Sequence, residues 1–375
     1  MMREEQNKLF RGKLILCLIL LSVAGNLFLL LNQREKASVL RMLDDFCAEN
    51  GSVITDKKMV ALSGLWKDGN TNDISWEEYE DNIERAAKYN SAVTASDMAS
   101  AYCSQMRLEG KAAAFVHEEF QKLDGQVAEA ASRELTFFPP VRMELFHSIS
   151  TNLLFALNLE GIMAAIILTL YSLDFEKSSH TQSTVDSTRK GRTILKDKLF
   201  ASAAASLICF SIIAATTLLA AACLFPFQTV AGTLISNPMV SLRGVPCMAA
   251  TSMTVGRYIF LSLGMSSILV VIYSLGSFAV GLRTKNGYFA FGVLTAILGI
   301  LKVFSMAAPT STRMFFWSQY NPLDLALKAG TWFLYSANNF SPFGYETGTL
   351  LLWFAICAVG CACGLLISKR KKAER

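Results

Sequence analysis

The segment DFEKSSHTQSTVDSTRKGRTILKDK, residues 174 to 198, is a strongly polar stretch between two long apolar runs. Acidic residues are interspersed with six basic ones, which are Lys177, Arg189, Lys190, Arg192, Lys196 and Lys198. Short loops rich in lysine and arginine stay on the cytoplasmic side of a membrane. The sequence therefore predicts a cytoplasmic loop here, and its length and mixed charge indicate that a partner docks on it.

The two flanking runs belong to a set of six, each long enough to cross a hydrocarbon core about 30 Å thick. They are Leu14 to Leu31, Leu153 to Leu173, Leu199 to Phe225, Tyr258 to Leu282, Tyr288 to Ala308 and Thr349 to Ile367. Of the 375 residues, 17% are charged, whereas about a quarter of the residues of a soluble protein are. We therefore predict an all-α polytopic protein with six transmembrane helices in the lipid bilayer.

One large polar region separates the first apolar run from the second. The predicted division is a cytoplasmic N-terminus (1–13), a first span (14–32), an extracytoplasmic domain (33–150), a five-helix transmembrane domain (151–368) that contains the loop 174–198, and a basic cytoplasmic tail (369–375). The exit of the first run, LLLNQREK, lacks the small-residue pattern of a signal-peptide cleavage site. The first run is therefore expected to remain as a span.

The distribution of positive charge predicts the orientation. With the N-terminus inside, 17 lysine and arginine residues fall in the inner segments and four in the short outer loops. This asymmetry places both termini in the cytoplasm of a cell-membrane protein. Residues 33–150 carry a net charge of −7 within a chain of net +5. The basic excess therefore reflects topology, and no nucleic-acid partner is expected.

The extracytoplasmic domain is predicted to be mainly helical. Apolar residues between Val39 and Cys47 recur at helical spacing and stop at Gly51. A second helical stretch, residues 95 to 134, is interrupted near Gly110 and Gly125. The sequence does not decide whether Cys47 and Cys103 form a disulfide.

Further along the chain, residues 309 to 347 are rich in aromatic side chains, and residues 322 to 337 have helix-like spacing. An aromatic belt at the membrane interface is the first interpretation of that segment, and contact with a substrate is the other.

The sequence lacks the motifs of the common hydrolytic and ATP-binding sites. His117 begins HEEFQ, which has no second metal-ligating histidine, and neither G-x-S-x-G nor a phosphate-binding G-x-x-x-x-G-K-[ST] loop occurs. We therefore expect no catalytic residues, metal site or cofactor on this chain.

Two charges lie within the predicted spans, Glu160 in the second and Lys302 in the fifth. A charged side chain at the middle of a span costs at least about 2.5 to 3.5 kcal/mol unless it finds a partner or water. Both residues are about 20 Å from the cytoplasmic end of their helices. One hypothesis is an ion pair between them. The alternative is that Lys302 reaches the outer surface while Glu160 faces a wet vestibule.

The loop also carries a family resemblance. Glu176 just past the second span, the S-T-x-x-G-R sequence from Ser187 to Arg192, and Lys198 at the start of the next run resemble the cytoplasmic loop of bacterial ABC-2-type transporter permeases. The plan of one span, a large outer domain, five further spans and a basic tail is similar too.

The resemblance implies a permease subunit of an exporter that acts as a homo- or heterodimer with a second permease protomer. ATP and Mg would bind to a separate cytosolic ABC ATPase subunit, which the loop would contact at or near Glu176, Arg189, Gly191, Arg192 and Lys198. The alternative function is a membrane-anchored sensor or scaffold whose outer domain binds a ligand or partner.

Overall fold

The computed structural model describes residues 2–11, 13–32, 36–51, 53–68, 76–132, 148–179, 181, 194–225, 231–237, 241–242, 245–284 and 286–373. Secondary structure in these ranges is helical apart from four two-residue strands and short turns or bridges.

Six helices are long and apolar enough to cross a membrane, one for each apolar run of the sequence. The spans are Lys13–Leu31, Thr151–Glu176, Ile194–Leu224, Val255–Gly281, Gly287–Ala307 and Tyr345–Ser368. By length and composition the chain is therefore a multi-pass helical membrane protein, and the predicted number of spans is confirmed.

We number the helices in chain order. Those before the second span are α1 (Met2–Arg11), α2 (Lys13–Leu31), α3 (Lys36–Asn50), α4 (Asp56–Asp68), α5 (Trp76–Ala92), α6 (Ala95–Met106), α7 (Gly110–Gln121) and α8 (Asp124–Ala131). A π-helical turn, Ser148–Leu153, leads into α9 (Leu154–Ser178), and the remaining helices are α10 (Ile194–Leu224), α11 (Val255–Gly281), α12 (Gly287–Ala307), α13 (Met314–Trp317), α14 (Pro322–Leu327) and α15 (Tyr345–Ala373).

Helix α9 is the centre of the bundle and packs against α2, α10, α11 and α12. In its span 67% of the residues are buried, against 17% in the spans of α2, α12 and α15. Gly161 of α9 lets the neighbours approach closely, because an added Cβ would lie 2.6 Å from the Phe210 ring and 2.9 Å from Val270. Small residues at helix contacts are typical of membrane bundles, where association depends on close packing.

In the described residues between the first and second spans lie six helices, α3 to α8, and the helical pattern predicted there is confirmed for those residues. Helix α3 ends at Asn50, and Gly51 follows with φ of 77°. Helices α6, α7 and α8 are separated near Gly110 and Gly125, as the sequence predicted. All nine cysteines are free, so the structure contains no Cys47–Cys103 bridge.

The aromatic segment after α12 is mostly protein core. Trp332, Tyr335, Phe340 and Tyr345 are at most 2% exposed, whereas Trp317 is 67% exposed. Tyr335 and Phe340 pack with residues of α6 and α7 in one apolar cluster. The aromatic-belt interpretation is therefore wrong for the four buried residues, because other parts of this chain cover them.

A short strand pair connects the loop before α11 to the loop before α15. Strand β3 (Met248–Ala249) pairs antiparallel with β4 (Leu334–Tyr335), while β1 (Ser241–Leu242) pairs with β2 (Val245–Pro246). The helix-like spacing of residues 322 to 337 forms a helix only over Pro322–Leu327. Gly330 and Phe333 have φ of 89° and 61°, which a continuing helix does not allow.

Candidate functional site

The two ends of the segment 174–198 are joined by a buried ion pair. Lys198 Nζ at the start of α10 pairs with the Glu176 carboxylate near the end of α9, and the two residues are 3% and 6% exposed. Lys198 Nζ also donates to the Ser172 carbonyl at 2.6 Å. This contact fixes the ends of two neighbouring spans to each other.

Helix α1 adds a second cation to the same carboxylate. Lys8 Nζ lies 3.3 Å from Glu176 Oε1 and 2.5 Å from Glu5 Oε1, and it stands over the Phe175 ring at 5.7 Å. Glu5 is 5% exposed, and α1 as a whole packs against α10 and α2. We call Glu5, Lys8, Glu176 and Lys198 the α1 charge cluster.

The predicted coupling residues therefore separate into two groups. Arg189, Gly191 and Arg192 lie outside the described residues. Glu176 and Lys198 are interior, so their side chains do not face a soluble partner in this conformation. Their predicted coupling role stays a prediction, and in this structure the two side chains join the ends of the segment 174–198. Sequence reasoning missed the α1 charge cluster. The available signal was the i, i+3 spacing of Glu5 and Lys8, which places an acidic and a basic side chain on the same face of a helix.

Glu160 and Lys302 have different partners, so the predicted ion pair between them is wrong. Glu160 Oε2 accepts a hydrogen bond of 2.9 Å from Asn26 Nδ2 of α2. Asn26 is fully buried, and its Nδ2 is also 3.2 Å from Thr217 Oγ1 of α10. A polar contact thus joins three spans. The sequence signal for this contact was Asn26, which is a lone amide in an apolar run.

Lys302 pairs instead with Asp324 of α14. Asp324 is 4% exposed, and its Oδ2 accepts a 2.5 Å hydrogen bond from Asn321 Nδ2. Lys302 is five residues from Ala307 at the end of α12, or about 8 Å along the helix. Its long side chain therefore reaches a carboxylate outside α12. The alternative, in which Lys302 reaches the outer surface and Glu160 faces a wet vestibule, stays a prediction.

Helix α14 is held among the ends of four spans. Asn158 Nδ2 of α9 donates to the Ala326 carbonyl at 3.1 Å, and Trp332 Nε1 donates to the Leu325 carbonyl at 2.9 Å. The helix also contacts α11, α12 and α15. Asp324 is therefore positioned by packing between distant parts of the sequence, and this explains why the partner of Lys302 was missed.

No protein-family model, curated protein or solved structure matches this chain. The fold by itself defines the class, a multi-pass helical membrane protein with a helical region inserted between its first and second spans. A more specific assignment depends on the residues of the segment 174–198.

Proposed function

We propose that this chain is the membrane-spanning permease subunit of an ATP-driven ABC exporter, and that the segment 174–198 contacts a separate cytosolic ATPase subunit. The observation that carries the proposal is the buried pair between Glu176 and Lys198. A loop that transmits the movement of a motor needs ends that move together with the spans. In this chain both ends are fixed to each other and to α1.

The charge of the loop supports the same assignment. Arg189, Lys190 and Arg192 form the basic part of the S-T-x-x-G-R sequence, and such residues make directional contacts with carboxylates on a protein surface. ATP binding to the partner would favour one arrangement of the loop, and α9 and α10 would follow as rigid bodies. The transport pathway would lie between this chain and a second permease protomer, with both termini in the cytoplasm.

Co-purification with the ATPase tests the proposal. The full chain is co-expressed with the products of its neighbouring genes, extracted in mild detergent and isolated by affinity, and ATPase activity is measured in the eluate. The change Arg189→Glu with Arg192→Glu should reduce the recovered activity to background. The matched control, Lys371→Glu with Lys372→Glu, reverses two tail charges and should leave recovery unchanged.

Equal ATPase recovery with both double variants would exclude docking through the loop. If the neighbouring genes encode a kinase or a regulator, and the chain retains that protein instead of an ATPase, the sensor alternative is correct.

A further inference from the structure

A cavity of about 480 Å³ lies between α6, the start of α9 and the segment from residue 319 to 340. This volume falls within the range of about 300 to 1,000 Å³ that small-molecule sites occupy. Its lining includes Tyr102 and Phe155, the side-chain amides of Asn152 and Asn338, and Lys328. The cavity thus combines aromatic surface, neutral hydrogen-bonding groups and a single cation among the described residues that line it.

Lys328 has only neutral partners close to its ammonium group. Its Nζ lies 3.0 Å from Gln319 Oε1, 3.3 Å from Ser341 Oγ and 3.4 Å from the Phe340 carbonyl oxygen. Among the residues that the structure describes, no carboxylate oxygen is within 4.0 Å of Nζ. The charge of Lys328 is therefore left without a counter-ion at the cavity wall.

The nearest carboxylates are already engaged elsewhere. Asp324 pairs with Lys302, and Glu346 Oε1 accepts a 2.9 Å hydrogen bond from the Phe333 backbone N–H. Both attract Lys328 at longer range, but burial outweighs them and lowers the pKa of Lys328 to about 8. Lys328 is half-buried and lacks a contact ion pair, and a bound anion would stabilise such a cation.

One part of the lining suits an apolar group. Tyr102 is 5% exposed, and its ring centroid lies 5.4 Å from that of Phe340. Asn152 belongs to the π-helical turn Ser148–Leu153, a rare geometry that is frequent at functional sites. A ligand here would place an acidic group at Lys328 and an apolar part against the aromatic rings.

We propose that this cavity binds the anionic headgroup of an amphipathic molecule, with a phosphate or carboxylate oxygen paired to Lys328 Nζ and the adjoining apolar part against Tyr102 and Phe155. A cation would be repelled by Lys328, and a neutral ligand would leave its charge uncompensated. The proposal does not depend on the ATPase partner, because it concerns the end of the bundle opposite α1.

Binding of short-chain lipids to the purified full chain tests the site. Delipidated protein in a non-ionic detergent is titrated with dihexanoylphosphatidylglycerol, with zwitterionic dihexanoylphosphatidylcholine, and with glycerol 3-phosphate as a headgroup without chains. Calorimetry should show binding of the anionic lipid with an affinity at least about tenfold higher than that of the zwitterionic lipid. Glycerol 3-phosphate should bind more weakly, because it lacks the apolar part. Equal affinity would contradict an amphipathic ligand and would assign a soluble anion instead.

Variants locate the binding at Lys328. Lys328→Gln should weaken binding of the anionic probe about tenfold or more, since a charge-assisted contact is lost, whereas Lys328→Arg should retain most of it. The matched control Lys111→Gln changes an exposed lysine of α7 outside the cavity and should have no effect. Asn152→Trp fills the cavity without altering Lys328, and it should abolish binding even if Lys328→Gln proves too unstable to purify.

Two further results would overturn the proposal. One is failure of the unmodified protein to bind either anionic probe. The other is an affinity that Asn152→Trp leaves unchanged, since binding would then occur elsewhere on the protein.

Discussion

Two cations, Lys8 and Lys198, share the Glu176 carboxylate. Lys198 is almost fully buried, while Lys8 retains 36% of its side-chain exposure. Removing one partner of a buried ion pair leaves a desolvated charge and costs about 3 to 5 kcal/mol, although replacing the whole pair by apolar groups is often neutral. At the residue scale, the pair is therefore best tested by comparing single and double changes.

Glu176→Gln is expected to destabilise the protein by about 3 to 5 kcal/mol, measured as a lower midpoint of thermal unfolding in detergent. Glu176→Gln combined with Lys198→Met should be more stable than Glu176→Gln alone, because no buried charge is then left unpaired. Glu84→Gln, an exposed change on α5, serves as the control. The single change Lys198→Met is measured as well. If the destabilisations of Glu176→Gln and Lys198→Met simply add in the double variant, the pairing is contradicted.

Lys328 makes binding in the cavity dependent on pH. Its pKa of about 8 is lowered mainly by burial, raised in part by Glu346 and Asp324, and lowered further by Lys302. The Tyr345 ring, whose centroid is 4.9 Å from Nζ, is the remaining close aromatic neighbour. Lys328 is protonated below pH 8 and loses its charge as the pH rises through that value.

The affinity for dihexanoylphosphatidylglycerol should therefore be highest below pH 8 and fall as the pH rises from 7 to 9.5. The Lys328→Arg variant should bind with little change over the same range, because arginine stays protonated. Calorimetric titrations at four pH values check this expectation. An equal fall with pH in the Lys328→Arg variant would show that another group is responsible.

Helices α6 to α8 are joined to the loops of the membrane domain by side-chain and backbone contacts. Glu119 Oε2 accepts a 2.9 Å hydrogen bond from the Phe343 N–H, and Gln126 Nε2 donates to the Ala250 carbonyl at 2.5 Å. Phe120 of α7 stacks on Phe340 with the ring centroids 5.4 Å apart. At the element scale, this helical region is thus packed onto the bundle and shares a core with it.

Phe120→Ala should weaken this shared core. The residue is fully buried, and removing a buried phenylalanine side chain costs about 3 to 5 kcal/mol. Hydrogen exchange of α6, α7 and residues 334 to 343 should accelerate together, while α9 to α11 keep their protection. Val60→Ala, at a position 72% exposed on α4, is the control. Faster exchange confined to α7 would contradict a common core.

At the scale of the whole molecule, the six spans could be predicted because lipid requires every backbone polar group to be satisfied within a long apolar helix. The partner of Lys302 could not, since Asp324 is brought to it by the packing of α14 among four spans. The aromatic segment was misread for a related reason, because the composition of an interfacial belt and that of a buried aromatic core are alike. The sequence predicted Glu176 and Lys198 as docking residues, whereas the structure places both side chains in the interior, with Lys8 of α1 beside Glu176.

The account as a whole requires the segment 174–198 to face the cytoplasm, and cysteine accessibility in intact cells tests this requirement most directly. Arg192→Cys and Lys111→Cys are each treated with a membrane-impermeant maleimide before and after permeabilisation, with the unmodified chain as background. We expect Arg192→Cys to react only after permeabilisation and Lys111→Cys to react in intact cells. Labelling of Arg192→Cys in intact cells would contradict both the orientation and the proposed contact with a cytosolic ATPase.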